Sequence, residues 1–135
     1  MREIKFRAWD IEDKEMYYNV QNAYDFTYIY HDKDEDYTPA SCFGEILQSD
    51  DWIVMQFTGL KDKNGKEIYE GDIIESDSKK WLIIWDDETA SFWAKLIIKN
   101  SRDSSRLLHL FDMSIGERKE IIGNIHENPE LLETK

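Results

Sequence analysis

Period-two alternation runs through much of the chain. Near the start, Ile4, Phe6 and Ala8 alternate with Lys5, Arg7 and Trp9, the pattern of a half-buried strand. Trp9 shares its face with Lys5 and Arg7, which places it at a sheet edge or an interface, where aromatics concentrate. Asp10 to Glu15 is a polar turn. Met16 to Val20 and Tyr24 to Tyr30 are short β-rich runs, separated by Gln21-Asn22. His31 to Thr38 (HDKDEDYT) reads as a charged loop. Pro39 and Gly44 interrupt any regular period, and Ser41 to Gln48 has room for a single helical turn.

The second half alternates more regularly. Trp52 to Gly59 is a strand, followed by Asp62-Lys63-Asn64-Gly65. Asn-Gly predicts a type I′ hairpin turn, because both residues accept positive φ. Lys66 to Tyr69 is the returning arm, Gly71 lets the chain bend, and Asp72-Ile73-Ile74 begins another strand. Trp81-Leu82-Ile83-Ile84-Trp85 is apolar on both faces, as a strand covered on both sides should be. Asp86 to Thr89 connects it to a partner over Ser91 to Ile98. Asn100 to Arg106 is a polar loop, and Leu107 to Ile115 has no clean period, which suits irregular chain or a short strand. Glu120 to His126 is the last strand, ended by Asn128-Pro129, and Glu130 to Lys135 is a loose turn. Short strands joined by hairpins define a mostly β, barrel-like fold, with α+β as the variant if the Ser41 region is helical. The charged loop suggests an N-terminal β segment over residues 1–50 and a C-terminal β domain over 51–135. A single compact domain is the other arrangement.

Composition narrows the function. The chain has 135 residues, 41% of them apolar and 13% aromatic, enough for a core that needs neither disulfide nor metal. Lys plus Arg number 17 against 29 Asp plus Glu, a net charge of -12. Ordinary nucleic-acid binding is disfavoured, because a phosphate backbone calls for clustered cations. Lys61, Lys63 and Lys66 crowd one turn, which reads either as a local basic patch or as solvated turn residues. The acidic surplus gives solubility and repulsion from membranes. A sharper reading of it is mimicry of DNA toward a DNA-binding protein. Cys42 is the single cysteine and implies no oxidising compartment. The opening MREIKFRAWD is too charged for a signal peptide, and no run approaches the roughly 18 apolar residues of a membrane span. The expected location is the cytoplasm.

Motifs for chemistry fail one after another. Gly59-x5-Gly65-Lys66-Glu67 is one residue too long for a phosphate loop and has Glu67 where Ser or Thr would hold magnesium. Asp32, Asp34 and Asp36 have the spacing of a calcium loop, but Tyr37 replaces its glycine and Phe43 its closing Glu. His31, His109, His126 and Cys42 are too scattered to predict zinc. There is no Gly-x-Ser-x-Gly elbow, and Cys42 reads as a small buried hydrophobe. Abundant carboxylates keep an enzyme of unknown class open, since only their separation in space would matter. Trp81 and Trp85 on one strand face suit either a stacking platform or a barrel core; the flanking Leu82 and Ile84 favour core. No catalytic, cofactor or metal residue is therefore named. The candidate interaction residues are Arg7, Trp9, Lys61, Lys63 and Lys66.

Three blocks resemble the YopX family. They are Arg2 to Asp10 (REIKFRAWD) followed by Met16, Gln56 to Ile74 (QFTGLKDKNGKEIYEGDII), and Ile121 to Leu132 (IIGNIHENPELL). The resemblance implies a phage or prophage gene acting in the cytoplasm of a bacterial host. It also implies a C-terminal bifurcated β-sheet folded into a small pseudobarrel. It brings no catalytic residues. The function expected is a non-enzymatic protein-interaction module with a host or phage protein as partner; the alternative is a nucleic-acid-associated barrel or an acidic DNA mimic. Open sheet edges make a homo-oligomer a further expectation.

Overall fold

Strand β1 (Phe6–Asp10) pairs antiparallel with β2 (Glu15–Tyr18) on one side and with β5 (Trp52–Lys61) on the other. The structure is a computed structural model and describes residues 3–23, 29–31, 36–37, 42–76, 78–97, 107–109 and 119–132. Its first unit is Met1–Phe57 and its second Thr58–Lys135.

In the first unit, β3 (Ile29–His31) adds to β2, and β4 (Asp36–Tyr37) to β3, giving the order β4-β3-β2-β1-β5. His31, Asp36 and Tyr37 of the expected charged loop are therefore drawn into ladder pairing. Asp32 and Asp34 lie outside the described residues. Register fixes the two faces of the inner strands. Ala8 lies opposite Tyr17 and Val54; Trp9 lies opposite Met16 and Ile53. Ala8 and Tyr17 pack with Val20, Ala23 and Ile46, the last from helix α1 (Phe43–Gln48). Phe43 of that helix meets Phe6 at 5.1 Å between ring centroids. On the opposite face Trp9 packs with Met16 and Met55. Strand β1 is thus buried on both faces and lies inside the sheet. Of the two positions expected for Trp9, a sheet edge or an interface, the edge is corrected: alternation reports which residues share a face, not how many strands flank them.

The second unit has the end of β5 paired with β6 (Glu67–Tyr69), and a five-stranded antiparallel sheet. That sheet contains β7 (Asp72–Ser76), β8 (Lys79–Asp86), β9 (Ser91–Leu96), β10 (Leu107–His109) and β11 (Glu120–Asn124), in the order β10-β9-β8-β7-β11. One core face gathers Ile68, Ile74, Trp81, Ile83, Ala94 and Leu96, with Leu60, Phe92 and Ile121 packed against them. Each large side chain buried there stabilises the fold by about 1.5–3 kcal/mol. The protein is mostly β, and one sheet curls into a half-barrel.

Two hairpins share one loop design. In the β1–β2 loop, the Asp10 Oδ1 accepts the N–H groups of Glu12 and Asp13, and Lys14 takes φ 56°. In the β8–β9 loop, the Asp86 Oδ2 accepts the Thr89 N–H and hydroxyl, and Ala90 takes φ 51°. A side chain in this left-handed region costs roughly 1–2 kcal/mol, partly offset by the chain entropy a glycine would lose. Ala90→Gly should therefore stabilise the protein by about 0.5 kcal/mol, read as a higher urea midpoint at unchanged slope.

Candidate functional site

The turn that carries Lys61, Lys63 and Lys66 is organised around Asp62, which is only 7% exposed although its neighbours are open to solvent. The Gly65 N–H donates to the Asp62 carbonyl at 3.0 Å, and the Asp62 N–H to the Lys66 carbonyl at 2.8 Å. Among these turn residues only Gly65, at φ 80°, has a positive φ. The hairpin is therefore a type I turn closed by a left-handed glycine, not the type I′ turn expected from Asn64-Gly65. The reason is the Asp62 side chain. Its Oδ1 accepts the N–H groups of Asn64 and Lys66, both at 2.9 Å, which holds Asn64 in the tighter arrangement.

The other carboxylate oxygen reaches out of the turn. Asp62 Oδ2 accepts the N–H of Ile121 in β11 at 3.1 Å. The Lys63 N–H donates to the Lys119 carbonyl at 3.0 Å, and the Asn64 side-chain amide approaches Glu120 at 3.4 Å. β11 is the last strand of its sheet, so these bonds occupy main-chain groups that an edge strand would otherwise expose. The central and C-terminal blocks of sequence thus meet in one clasp. Its electrostatics follow from burial. Burial alone raises the Asp62 pKa, but the N–H groups of Ile121, Lys66 and Asn64 and the Lys66 charge together bring it below 3.8. Burial lowers the pKa of Lys119, against the opposing pull of the Asp62 carboxylate.

The same C-terminal block closes the far end of β11. Gly123 stands where the β11–β7 register shifts by a residue. A Cβ there would lie 2.5 Å from Asn128 Oδ1 and 2.8 Å from Leu131 Cδ1, so any other residue must push these side chains away from the strand. Asn124, itself buried, accepts the N–H groups of His126 and Glu127 on its Oδ1, and Asn128 Oδ1 accepts the Asn124 N–H at 3.2 Å. These side-chain turns end the strand at Asn124 rather than His126. Pro129 opens a short 3-10 turn, Pro129–Leu132, where its missing N–H costs nothing. In the β6–β7 turn, Asp72 accepts the Tyr69 N–H at 2.8 Å and Gly71 supplies a φ of 88°.

The expected interaction residues fall into two groups. Lys61, Lys63 and Lys66 are exposed on the clasp turn, as their spacing suggested. Lys63 also reaches Glu120 at 3.3 Å, both side chains being 43% exposed. This pair should contribute about 0.5 kcal/mol, vanishing at high salt; a Lys63→Ala, Glu120→Ala double-mutant cycle in urea would measure it. Arg7 and Trp9, at 3% and 9% exposure, are interior side chains of β1. Sequence reasoning missed Asp62, whose turn looked like solvated charge, and favoured a core position for both Trp81 and Trp85. Trp81 is core, but Trp85 is 41% exposed at the end of the same strand face. The signal was available: Trp85 is followed at once by Asp86-Asp87-Glu88, where a strand leaves its core. Cys42 caps α1 through its backbone alone and is half-buried. Among the described residues, no three His, Cys, Asp or Glu side chains come together as a metal site.

A two-unit, mostly β protein whose polar motif residues serve its main chain is the class this geometry defines. The model of the YopX protein family matches residues 5–133, and the chain belongs to that family. It is also similar to protein EF1440 from Enterococcus faecalis, whose crystal structure is 30% identical, covers 98% of this chain and 99% of that one, and superposes with a TM-score of 0.60. No match was found among curated proteins. No helix among the described residues is long and apolar enough to cross a membrane.

Proposed function

We propose that this chain is a phage- or prophage-encoded protein-interaction module that acts in the host cytoplasm without chemistry of its own. The observation that carries the reading is how its buried polar side chains are used. Asp62, Asp72 and Asn124 are buried, and each accepts hydrogen bonds from backbone N–H groups of its own fold. A carboxylate held that way is a poor base and a poor ligand. What meets solvent is an acidic surface, net charge -12, set with exposed apolar side chains such as Ile11, Leu47 and Trp85. Such a surface recognises a protein. Affinity capture with the intact chain from a bacterial host lysate, at moderate salt, should return one saturable partner in repeat experiments; repeated capture of nothing above background contradicts the reading.

The net charge also supports a second reading, in which the partner is a DNA-binding protein and the chain competes with DNA for it. A captured partner that binds duplex DNA, and loses it when this chain is added, would bear that out. Direct nucleic-acid binding through the lysine turn is the weaker form, because Lys63 is already paired with Glu120. A gel shift at low salt that disappears with added salt would support it.

A further inference from the structure

We propose that the tip of the β8–β9 hairpin is the docking surface, and that it receives an arginine side chain of a basic protein segment on the ring of Trp85. This rests on the interaction-module reading and gives it a location. Trp85 is the exposed tryptophan among the described residues. Its ring is fixed from two sides. Phe92 meets it edge to face with centroids 4.9 Å apart, and its indole N–H donates to Asp87 Oδ1 at 2.9 Å. The opposite side of the hairpin is tied down as well, since the Trp93 indole N–H donates to Thr89 and Ser91 hydroxyls at 2.8 and 3.0 Å. An aromatic ring already held in place loses little freedom on binding, which is what makes such residues anchors of interfaces.

Charge complementarity selects the occupant. Asp87, bonded to the indole, is exposed, Glu88 next to it in the loop is exposed too, Asp86 is half-buried, and no lysine or arginine occurs between Trp81 and Ala94. An aromatic face flanked by carboxylates attracts a cation above the ring, and the planar guanidinium can stack there while bonding a carboxylate. The β1–β2 hairpin provides an internal comparison: it has the same loop design, with Glu12 and Asp13 exposed, but Trp9, which precedes its Asp10 as Trp85 precedes Asp86, is buried, and its loop carries Lys14. If acidity alone were the attraction, the two tips would bind alike.

The test uses the full chain, 15N-labelled, with the Trp85 indole signal assigned through Trp85→Phe. A blocked tetra-arginine peptide, its neutral tetra-citrulline counterpart and maltotetraose are titrated in turn. The expected result is a saturable shift of the Trp85 signal with tetra-arginine and none with the other two. Trp85→Ala should weaken tetra-arginine binding about tenfold. Asp87→Asn with Glu88→Gln should weaken it several-fold, while Glu12→Gln with Asp13→Asn leaves it unchanged. Binding that survives Trp85→Ala, an equal response to tetra-citrulline, or a response to maltotetraose in place of tetra-arginine overturns the proposal. A lysate partner still captured by the Trp85→Ala chain would also overturn it while sparing the module reading. Failure to capture any partner strikes the module reading and not the peptide result.

Discussion

Replacing Asp62 by alanine is expected to cost about 3 kcal/mol of stability, because three backbone N–H groups lose a charged acceptor at once. The N–H of Ile121 loses its acceptor on the edge of β11, and the buried Lys119 loses the carboxylate that favours its charge. Asparagine at the same position retains one oxygen and should cost less. The pH dependence has a definite sign. Asp62 is held below 3.8 in the folded chain, so its contribution is complete above 3.8 and is lost as pH falls through the lower folded value. Urea unfolding of the parent and of Asp62→Ala across the acid range should show two stability curves that approach each other as the pH falls. Curves that stay parallel, or a loss below about 1 kcal/mol at neutral pH, would deny the turn its anchor.

The second large effect belongs to Gly123. Its alanine variant must place a Cβ where Asn128 Oδ1, Asn128 Cγ and Leu131 Cδ1 now stand at 2.5–2.8 Å. Overpacking of this kind costs about 1–3 kcal/mol, and moving Asn128 also removes the acceptor of the Asn124 N–H. A loss of about 3 kcal/mol is expected. The residues are in contact, so the effects should not add: in the Gly123→Ala background, Asn128→Ala should cost less than it does alone. Additive losses in a double-mutant cycle would mean that the crowding lies elsewhere.

The strands of the second unit were legible because alternation and turn residues agree there. Trp81 and Ile83 point into one core, and Asp86 to Thr89 turns the chain, as the pattern indicated. The helical turn near Ser41 appears as Phe43–Gln48. What sequence could not give was any feature decided by a distant partner. Asn64-Gly65 looked like a type I′ turn because the dipeptide rule sees two residues, whereas Asp62 tightens the turn and binds Ile121, 59 residues away. A sheet edge stood beside an interface as a position for Trp9 because alternation does not reveal that β5 pairs on the other side of β1. The last strand stops at Asn124 because side-chain turns from Asn124 and Asn128 compete with the ladder, an effect invisible to period-two reasoning. The lysine turn was found for its charge, and its role in the fold proved to lie in the aspartate among the lysines.

The central claim is that the central and C-terminal blocks form a clasp closed by the Asp62 carboxylate on the edge of β11. An NMR titration of the folded protein tests it most directly, following the Asp62 carboxyl carbon and the Ile121 amide proton together as pH is lowered. The clasp predicts an Asp62 carboxyl not yet half protonated at pH 3.8, and an Ile121 amide that moves only when Asp62 titrates. An Asp62 that titrates at or above 3.8, or an Ile121 amide indifferent to it, would contradict the clasp.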